Sequence, residues 1–85
     1  MSAAVSRPTY VVQGATRGPK AWHTPRTESE PFEFEEEAWE AAFEHAEYLA
    51  GVYHGYVVHE EDCYEVLDSL ERLRYRVTVS KREEN

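Results

Sequence analysis

Residues 35–50 read EEEAWEAAFEHAEYLA, a stretch with the periodicity of a helix. Its apolar residues recur at spacings of three and four, which places them on one face of an α-helix. Three glutamates occupy the first turn, where the positive end of the helix dipole stabilises carboxylates, and Gly51 is suited to end the helix. We therefore expect one long amphipathic helix near residues 35–50. Its apolar face consists of Ala38, Trp39, Ala42, Phe43, Ala46, Leu49 and Ala50.

The sequence before this helix favours strands and loops, because all four prolines lie within the first 31 residues. A first strand is expected at 9–13, and glycines and a proline then predict a turn. A second strand is expected at 20–24. Residues 32–34 alternate apolar and acidic side chains, so they form either a short third strand or the lead-in to the helix.

The sequence after residue 51 predicts a strand at 55–59, a second helix at 61–72 and a strand at 75–79. The apolar stripe of the second helix consists of Cys63, Val66, Leu67, Leu70 and Leu73. The element order is then β-β-α-β-α-β. This order favours an α+β fold with a small mixed or antiparallel sheet and two helices packed on one face.

The chain is short enough to predict a single domain, at 7–80, between a flexible N-terminal tail at 1–6 and a frayed C-terminal tail at 81–85. The core is expected to join residues of both helices to apolar residues of the strands. Its members are Trp39, Phe43, Ala46, Val66, Leu67, Leu70, Tyr10, Val12, Val57, Val77 and Val79.

Charge is strongly segregated along the chain. Residues 28–71 hold fifteen acidic residues and no lysine or arginine, whereas all nine basic residues lie outside that block. The net charge is −8. A field of this sign attracts cationic partners and repels nucleic acid and anionic membranes. We therefore expect a partner protein with a basic surface, no direct nucleic-acid binding and no membrane binding, for a chain that is a monomer or homodimer.

Glutamates form a line on the first helix at spacings of four, three, four and three: Glu33, Glu37, Glu40, Glu44 and Glu47. Successive carboxylates would stand roughly 5–6 Å apart along the helix axis. This approaches the ~7 Å between neighbouring phosphates of a nucleic-acid strand. Like charges at this spacing destabilise a helix, and no lysine on the helix relieves them. The line is therefore either a functional, partner-binding row or the solvated face of an acidic protein.

The predicted partner-binding residues fall into two rows. The first row, here called the glutamate ridge, consists of Glu37, Glu40, Glu44 and Glu47. The second row consists of Glu61, Glu65 and Asp68, which share a face if residues 61–72 are helical. If both helices cover the same side of the sheet, the two rows would merge into one acidic surface.

Basic and aromatic residues outside the acidic block have two interpretations each. Arg72, Arg74 and Arg76 alternate, so they would place three guanidinium groups on one sheet face. They could bind phosphate or neutralise the protein's own acidic helices. Trp22 could cover the sheet or anchor an interface.

No motif predicts catalysis, a cofactor or a metal site. The histidines and Cys63 lack the spacings of metal ligands, and no glycine-rich phosphate loop occurs. Cys63 lies on a predicted apolar stripe, where a buried, inert thiol is expected. We therefore expect no enzyme, no cofactor and no metal. The single cysteine and the lack of a signal peptide or a long apolar run favour a soluble, cytoplasmic protein.

A short, acidic, single-domain chain with an unrelieved carboxylate surface is similar in type to the small inhibitors that viruses of bacteria make. These include phage anti-CRISPR and anti-restriction proteins that act as DNA mimics. The likeness is one of composition and implies a non-enzymatic inhibitor that occupies a basic, nucleic-acid-binding surface of a partner protein. One alternative is a small regulatory or structural subunit that docks or dimerises through its sheet edge, with acidity serving solubility only. A third is a nucleic-acid binder that uses Arg72, Arg74 and Arg76.

Overall fold

The computed structural model describes residues 8–83, which form a five-stranded antiparallel sheet with one helix packed on one face. The strands are β1 (Pro8–Thr16), β2 (Arg26–Thr27), β3 (Tyr56–His59), β4 (Tyr64–Leu67) and β5 (Leu73–Glu83), and the helix is α1 (Glu35–Val52). The order across the sheet is β2-β1-β5-β4-β3. The α+β class is confirmed, whereas the second helix predicted from the sequence is wrong.

The predicted first helix is confirmed, and α1 packs on the sheet through a stripe of alanines at every fourth position. Ala38, Ala42, Ala46 and Ala50 are all buried. Because alanine is small, the backbone of α1 can lie close to the sheet. Larger side chains such as Trp39 pack at the flanks of the stripe. The helix therefore has one buried side and a broad outer side that faces solvent.

The end of α1 lies beyond Gly51, the residue predicted to terminate it. His54 adopts a left-handed conformation with φ 57°, and two backbone bonds close the helix: His54 N–H donates to Gly51 O and Gly55 N–H donates to Ala50 O. This pattern is a Schellman motif with His54 in the position that glycine usually occupies. The turn directs the chain into β3 at the edge of the sheet.

The core lies between α1 and the central strands. β1 pairs with β5 along the whole length of β1, from Pro8 with Glu83 to Thr16 with Tyr75. Val12, Val66 and Val77 are buried against α1 from three different strands. Of the strand residues predicted for the core, four belong to this cluster, Val12, Val57, Val77 and Val79, whereas Tyr10 is half-buried and lies outside it.

Residues 61–72 form β4 and a turn instead of the predicted helix. Tyr64 and Val66 point towards α1, so Glu65 and Leu67 point to the opposite side of the sheet. Leu70, predicted to be in the core, is 70% exposed in the turn. The apolar residues of this segment fit either the spacing of a helix or the alternation of a four-residue strand followed by a turn. The strand forms because it pairs with β3 on one side and β5 on the other.

The predictions for the two ends of the domain need smaller corrections. Residues 20–24 form a loop with an isolated bridge between Arg17 and Trp22, and the second strand is the two-residue β2. Only Phe32 of the segment 32–34 pairs, in a bridge with Tyr10. β5 continues to Glu83, within the predicted C-terminal tail. The predicted N-terminal tail lies outside the described residues.

Candidate partner-binding surface

The glutamate ridge lies on the outer side of α1. Glu37, Glu40, Glu44 and Glu47 are all exposed. Because each residue turns an α-helix by about 100°, their positions lie opposite the buried alanine stripe. Glu33 precedes the helix and so does not extend the ridge along α1.

The ridge carboxylates have no internal partners among residues 8–83. No hydrogen bond or ion pair within this part of the chain involves any of the four. Other acidic side chains do have such roles: Glu35 accepts a bond from the Trp39 indole N–H at 3.1 Å, and Glu28 contacts His45 at 2.6 Å. The ridge is therefore a row of exposed carboxylates that have no hydrogen-bonding or ionic partner within residues 8–83.

The predicted second row does not exist as a row. Because residues 61–72 are not helical, Glu61 lies in an exposed loop, Glu65 lies on β4 and Asp68 lies in the β4–β5 turn. Glu65 faces the side of the sheet opposite α1, where Arg76 is its cross-strand neighbour. The structure therefore does not align these three residues in a second row.

Asp68 holds the β4–β5 turn together. It is only 6% exposed, and its Oδ1 accepts bonds from the backbone N–H groups of Leu70 and Arg72. Its Oδ2 lies 2.9 Å from Arg72 Nε and 3.8 Å from an Arg74 nitrogen. The backbone bond from Arg72 is the main cause that lowers the pKa of Asp68, and burial opposes it. Both oxygens of the Asp68 carboxylate therefore have partners within the protein.

The arginines predicted as a phosphate-binding strand have internal contacts. Arg72 and Arg74 meet at Asp68, and the Arg74 guanidinium also lies 5.2 Å from the Tyr53 ring centre. Arg76 stacks 4.2 Å from the ring centre of Trp22. The three guanidinium groups therefore do not form one free row.

Trp22 covers the side of the sheet opposite α1. It lies between Arg17, at 5.6 Å, and Arg76, and it lines a cavity of about 360 Å³ with Ala15 and Gln13. On the same side, Arg82 donates to the Thr27 hydroxyl at 2.7 Å. Because Arg82 is on β5 and Thr27 on β2, this bond crosses β1. Aromatic and arginine side chains therefore cover part of this side of the sheet.

An aromatic groove beside the ridge was not predicted from the sequence. Trp39 and Phe43 of α1 meet His59 of β3 and Tyr64 of β4. These four rings line a cavity of about 490 Å³ together with Glu36 and Glu40. The spacing of Trp39 and Phe43 placed both on the apolar face, but the contribution of His59 depends on strand pairing that the sequence does not reveal.

The environment of Cys63 disfavours a reactive thiol. Cys63 is buried and lines a cavity of about 590 Å³ with Glu60, Asp62, Glu65, Arg76 and Thr78. Burial raises the pKa of the Cys63 thiol, and the nearby Glu65 carboxylate raises it further, although Arg76 lowers it. The thiolate, the nucleophilic form, is therefore disfavoured.

Glu28 links α1 to the sheet. Its carboxylate accepts a hydrogen bond from the Tyr75 hydroxyl and contacts His45 of α1. Gly14 makes room for this contact, because a Cβ at that position would meet both Glu28 and Tyr75. Burial raises the pKa of Tyr75 above its usual value, and the bond to Glu28 raises it further. The contacts of Glu28 with His45 and Tyr75 therefore connect α1 to the sheet.

Within residues 8–83, no group of three or more histidine, cysteine or acidic side chains is arranged to hold a metal ion. In the same part of the chain, no helix is long and apolar enough to cross a membrane. Comparison of the chain with protein-family models, curated proteins and solved structures finds no match. The glutamate ridge and the aromatic groove adjoin each other at Glu40 and together form the candidate partner-binding surface.

Proposed function

We propose that the protein is a non-enzymatic inhibitor that places the glutamate ridge in a basic, nucleic-acid-binding groove of a partner protein. Competition with nucleic acid for that groove would be its mechanism, as in phage anti-CRISPR or anti-restriction proteins that mimic DNA charge. The observation that carries the proposal is that four exposed glutamates form one line on α1 and make no hydrogen bond or ion pair within residues 8–83. Their like charges cost stability, so a partner that neutralises them would be favoured.

The contrast with the rest of the molecule supports this choice of surface. Asp68 and the arginines around it are engaged within the fold, and Glu65 faces the other side of the sheet. A basic partner that approaches α1 therefore meets carboxylates with no nearby arginine or lysine on the same helix. Long-range attraction of this kind raises the association rate.

The test replaces Glu37, Glu40, Glu44 and Glu47 together by glutamine. A matched control replaces Glu30, Glu33, Glu60 and Glu61, which are exposed and also lack internal side-chain partners within the described chain. Both variants lose four negative charges. Glu61 belongs to the predicted second row, so the control tests that row as well.

A partner is first captured from extracts of the native host or, for a viral protein, of the cells that the virus infects. The affinity of that partner is then measured by surface plasmon resonance at several salt concentrations. We expect the ridge variant to bind at least about 10-fold more weakly, mainly through slower association, and the control to bind nearly as wild type. Binding of the wild type should weaken with salt and compete with nucleic acid. Equal affinity of the ridge variant and the wild type would reject the proposal.

The stability of the ridge variant separates a binding role from a folding role. Removing like charges at spacings of three and four should raise the free energy of unfolding by up to about 1 kcal/mol at low salt. Stability and affinity should therefore move in opposite directions. Urea denaturation at low and high salt measures the first quantity.

A regulatory or structural subunit is the second candidate, and the free edge of β3 favours it. β3 lies at the end of the sheet, and its sequence, Tyr-Val-Val-His, contains no lysine or proline to discourage pairing. Tyr56 on this strand is 44% exposed. Sedimentation equilibrium over a wide concentration range tests this use of the β3 edge, because edge-to-edge dimerisation would appear without any partner.

A further inference from the structure

The aromatic groove has the features of a site for a positively charged side chain. The ring centres of Phe43 and Tyr64 are 5.4 Å apart, those of His59 and Tyr64 are 4.9 Å apart, and Trp39 meets Tyr64 edge-on at 5.7 Å. These rings come from three elements, α1, β3 and β4, so the fold fixes their positions. The Trp39 indole is also held by its bond to Glu35.

Carboxylates stand at the rim of the same groove. Glu36 and Glu40 line the cavity and are one helical turn apart, as are Trp39 and Phe43. The rings and the carboxylates therefore form neighbouring rows along α1. Glu40 belongs to the glutamate ridge, so the groove and the ridge are one continuous surface.

The groove continues along the edge of the sheet. A second cavity of about 360 Å³ shares Phe43 and His59 with the first and extends to Tyr56 and Glu47. Glu47 is another member of the ridge. Neither cavity is lined by a lysine or an arginine of residues 8–83, so His59 is the one basic side chain of this part of the chain that lines them.

We infer that this groove binds an arginine side chain of the partner protein. A cation within about 6 Å of an aromatic ring centre is attracted to the ring face, and a carboxylate beside the ring strengthens its binding. Arginine fits better than lysine, because its planar guanidinium can stack on a ring and bond a carboxylate at its edge, and it is more weakly hydrated. The inference rests on the proposed function and names the group that the basic partner would insert.

The site can be tested without the partner by using two synthetic peptides. The first is Ac-Gly-Ser-Arg-Ser-Gly-NH2, and the second carries citrulline, a neutral group of nearly the same shape, in place of arginine. Each is titrated into ¹⁵N-labelled full-length protein, and the amide and indole signals are followed by NMR. A third peptide with lysine tests the preference for a planar cation.

We expect the arginine peptide to shift the Trp39 indole signal and the amide signals of His59 and Tyr64 in a saturable manner. The lysine peptide should bind more weakly, and the citrulline peptide should cause no saturable shift. The Trp22 indole provides an internal control, because it already lies between two arginines on the other side of the sheet. Its signal should stay in place.

Variants separate the groove from the general negative field. Replacing Glu36 and Glu40 by glutamine should weaken binding of the arginine peptide more than replacing Glu37 and Glu44 by glutamine. The second pair removes the same charge, but its residues line neither cavity. Phe43→Leu keeps an apolar side chain without a ring and should weaken binding about 2- to 5-fold. The surface glutamine variants keep the test valid if the Phe43 variant proves unstable.

Three results would overturn the inference. They are equal shifts with the arginine and citrulline peptides, equal losses in the two glutamine pairs, and concentration-dependent self-association of the wild type that Phe43→Leu abolishes. The last would assign the groove to a second copy of the chain. If the partner requires the glutamate ridge but binds the Phe43 variant as tightly as wild type, the inference fails and the proposed function stands.

Discussion

The outer surface of α1 and the opposite side of the sheet use their charged residues differently. The four ridge glutamates make no hydrogen bond or ion pair within residues 8–83. On or beside the sheet, five arginines each contact a carboxylate, a hydroxyl or an aromatic ring of the protein itself: Arg17, Arg72, Arg74, Arg76 and Arg82. These five arginines therefore contribute to the fold, whereas the ridge carboxylates are left without a hydrogen-bonding or ionic partner within residues 8–83.

This difference explains why sign alone is a poor guide to a binding surface. Both charge types are abundant in the sequence, and alternating arginines on a strand would suggest phosphate binding as readily as a line of glutamates suggests a basic partner. The internal contacts of Arg72, Arg74 and Arg76 weaken the first interpretation. The difference also predicts that mutations on the two surfaces will have unequal effects on stability.

The largest difference is expected between Trp22→Ala and Tyr48→Ala. Trp22 is half-buried and stacks on Arg76, so its removal uncovers that side of the sheet and should lower the free energy of unfolding by about 2–3 kcal/mol. Tyr48 lies on α1 and is 68% exposed, so its removal should change stability by less than about 0.5 kcal/mol. Urea denaturation of both variants measures the effect. Similar losses in the two would show that the surfaces do not differ as described.

A smaller, pH-dependent effect is expected for Asp68→Asn. The pKa of Asp68 is lowered in the folded protein, so its charged form stabilises the fold above its usual pKa of about 3.8, and this contribution is lost as the pH falls through the lower folded-state pKa. The variant should be less stable than wild type at pH 7. The difference should shrink towards pH 3, as measured by urea denaturation across that range. A constant difference over the whole range would contradict the assignment of the charge to the turn.

The sequence predicted α1 well because its signal is long and redundant. Eighteen residues carry an apolar stripe, acidic residues at the first turn and no proline. The exposure of the ridge followed from that stripe alone. The end of the helix was misplaced, because His54 takes a left-handed conformation that glycine would be expected to take.

The sequence misled at 61–72 because the segment is short and its apolar residues suit two periods. Val66 would lie on the apolar face of a helix, yet it also alternates with Glu65 on a strand. The choice is made by long-range pairing, since Val66 lies between Val57 on β3 and Tyr75 on β5. The same pairing brings His59 to Tyr64 and so creates the aromatic groove, which local patterns alone do not predict.

The smallest effect is expected for Leu70→Ala, in the turn where Arg72 and Arg74 meet at Asp68. In a helix, Val66 and Leu70 would share one buried face. In this structure Val66 is fully buried, whereas Leu70 is 70% exposed and supplies only its backbone N–H to Asp68. Alanine keeps that N–H, so Leu70→Ala should change the free energy of unfolding by less than about 0.5 kcal/mol, against a loss of about 2 kcal/mol for Val66→Ala. Thermal or urea denaturation of the pair is the measurement. A loss at Leu70 as large as that at Val66 would restore the helix at 61–72, and with it the second acidic row beside the glutamate ridge.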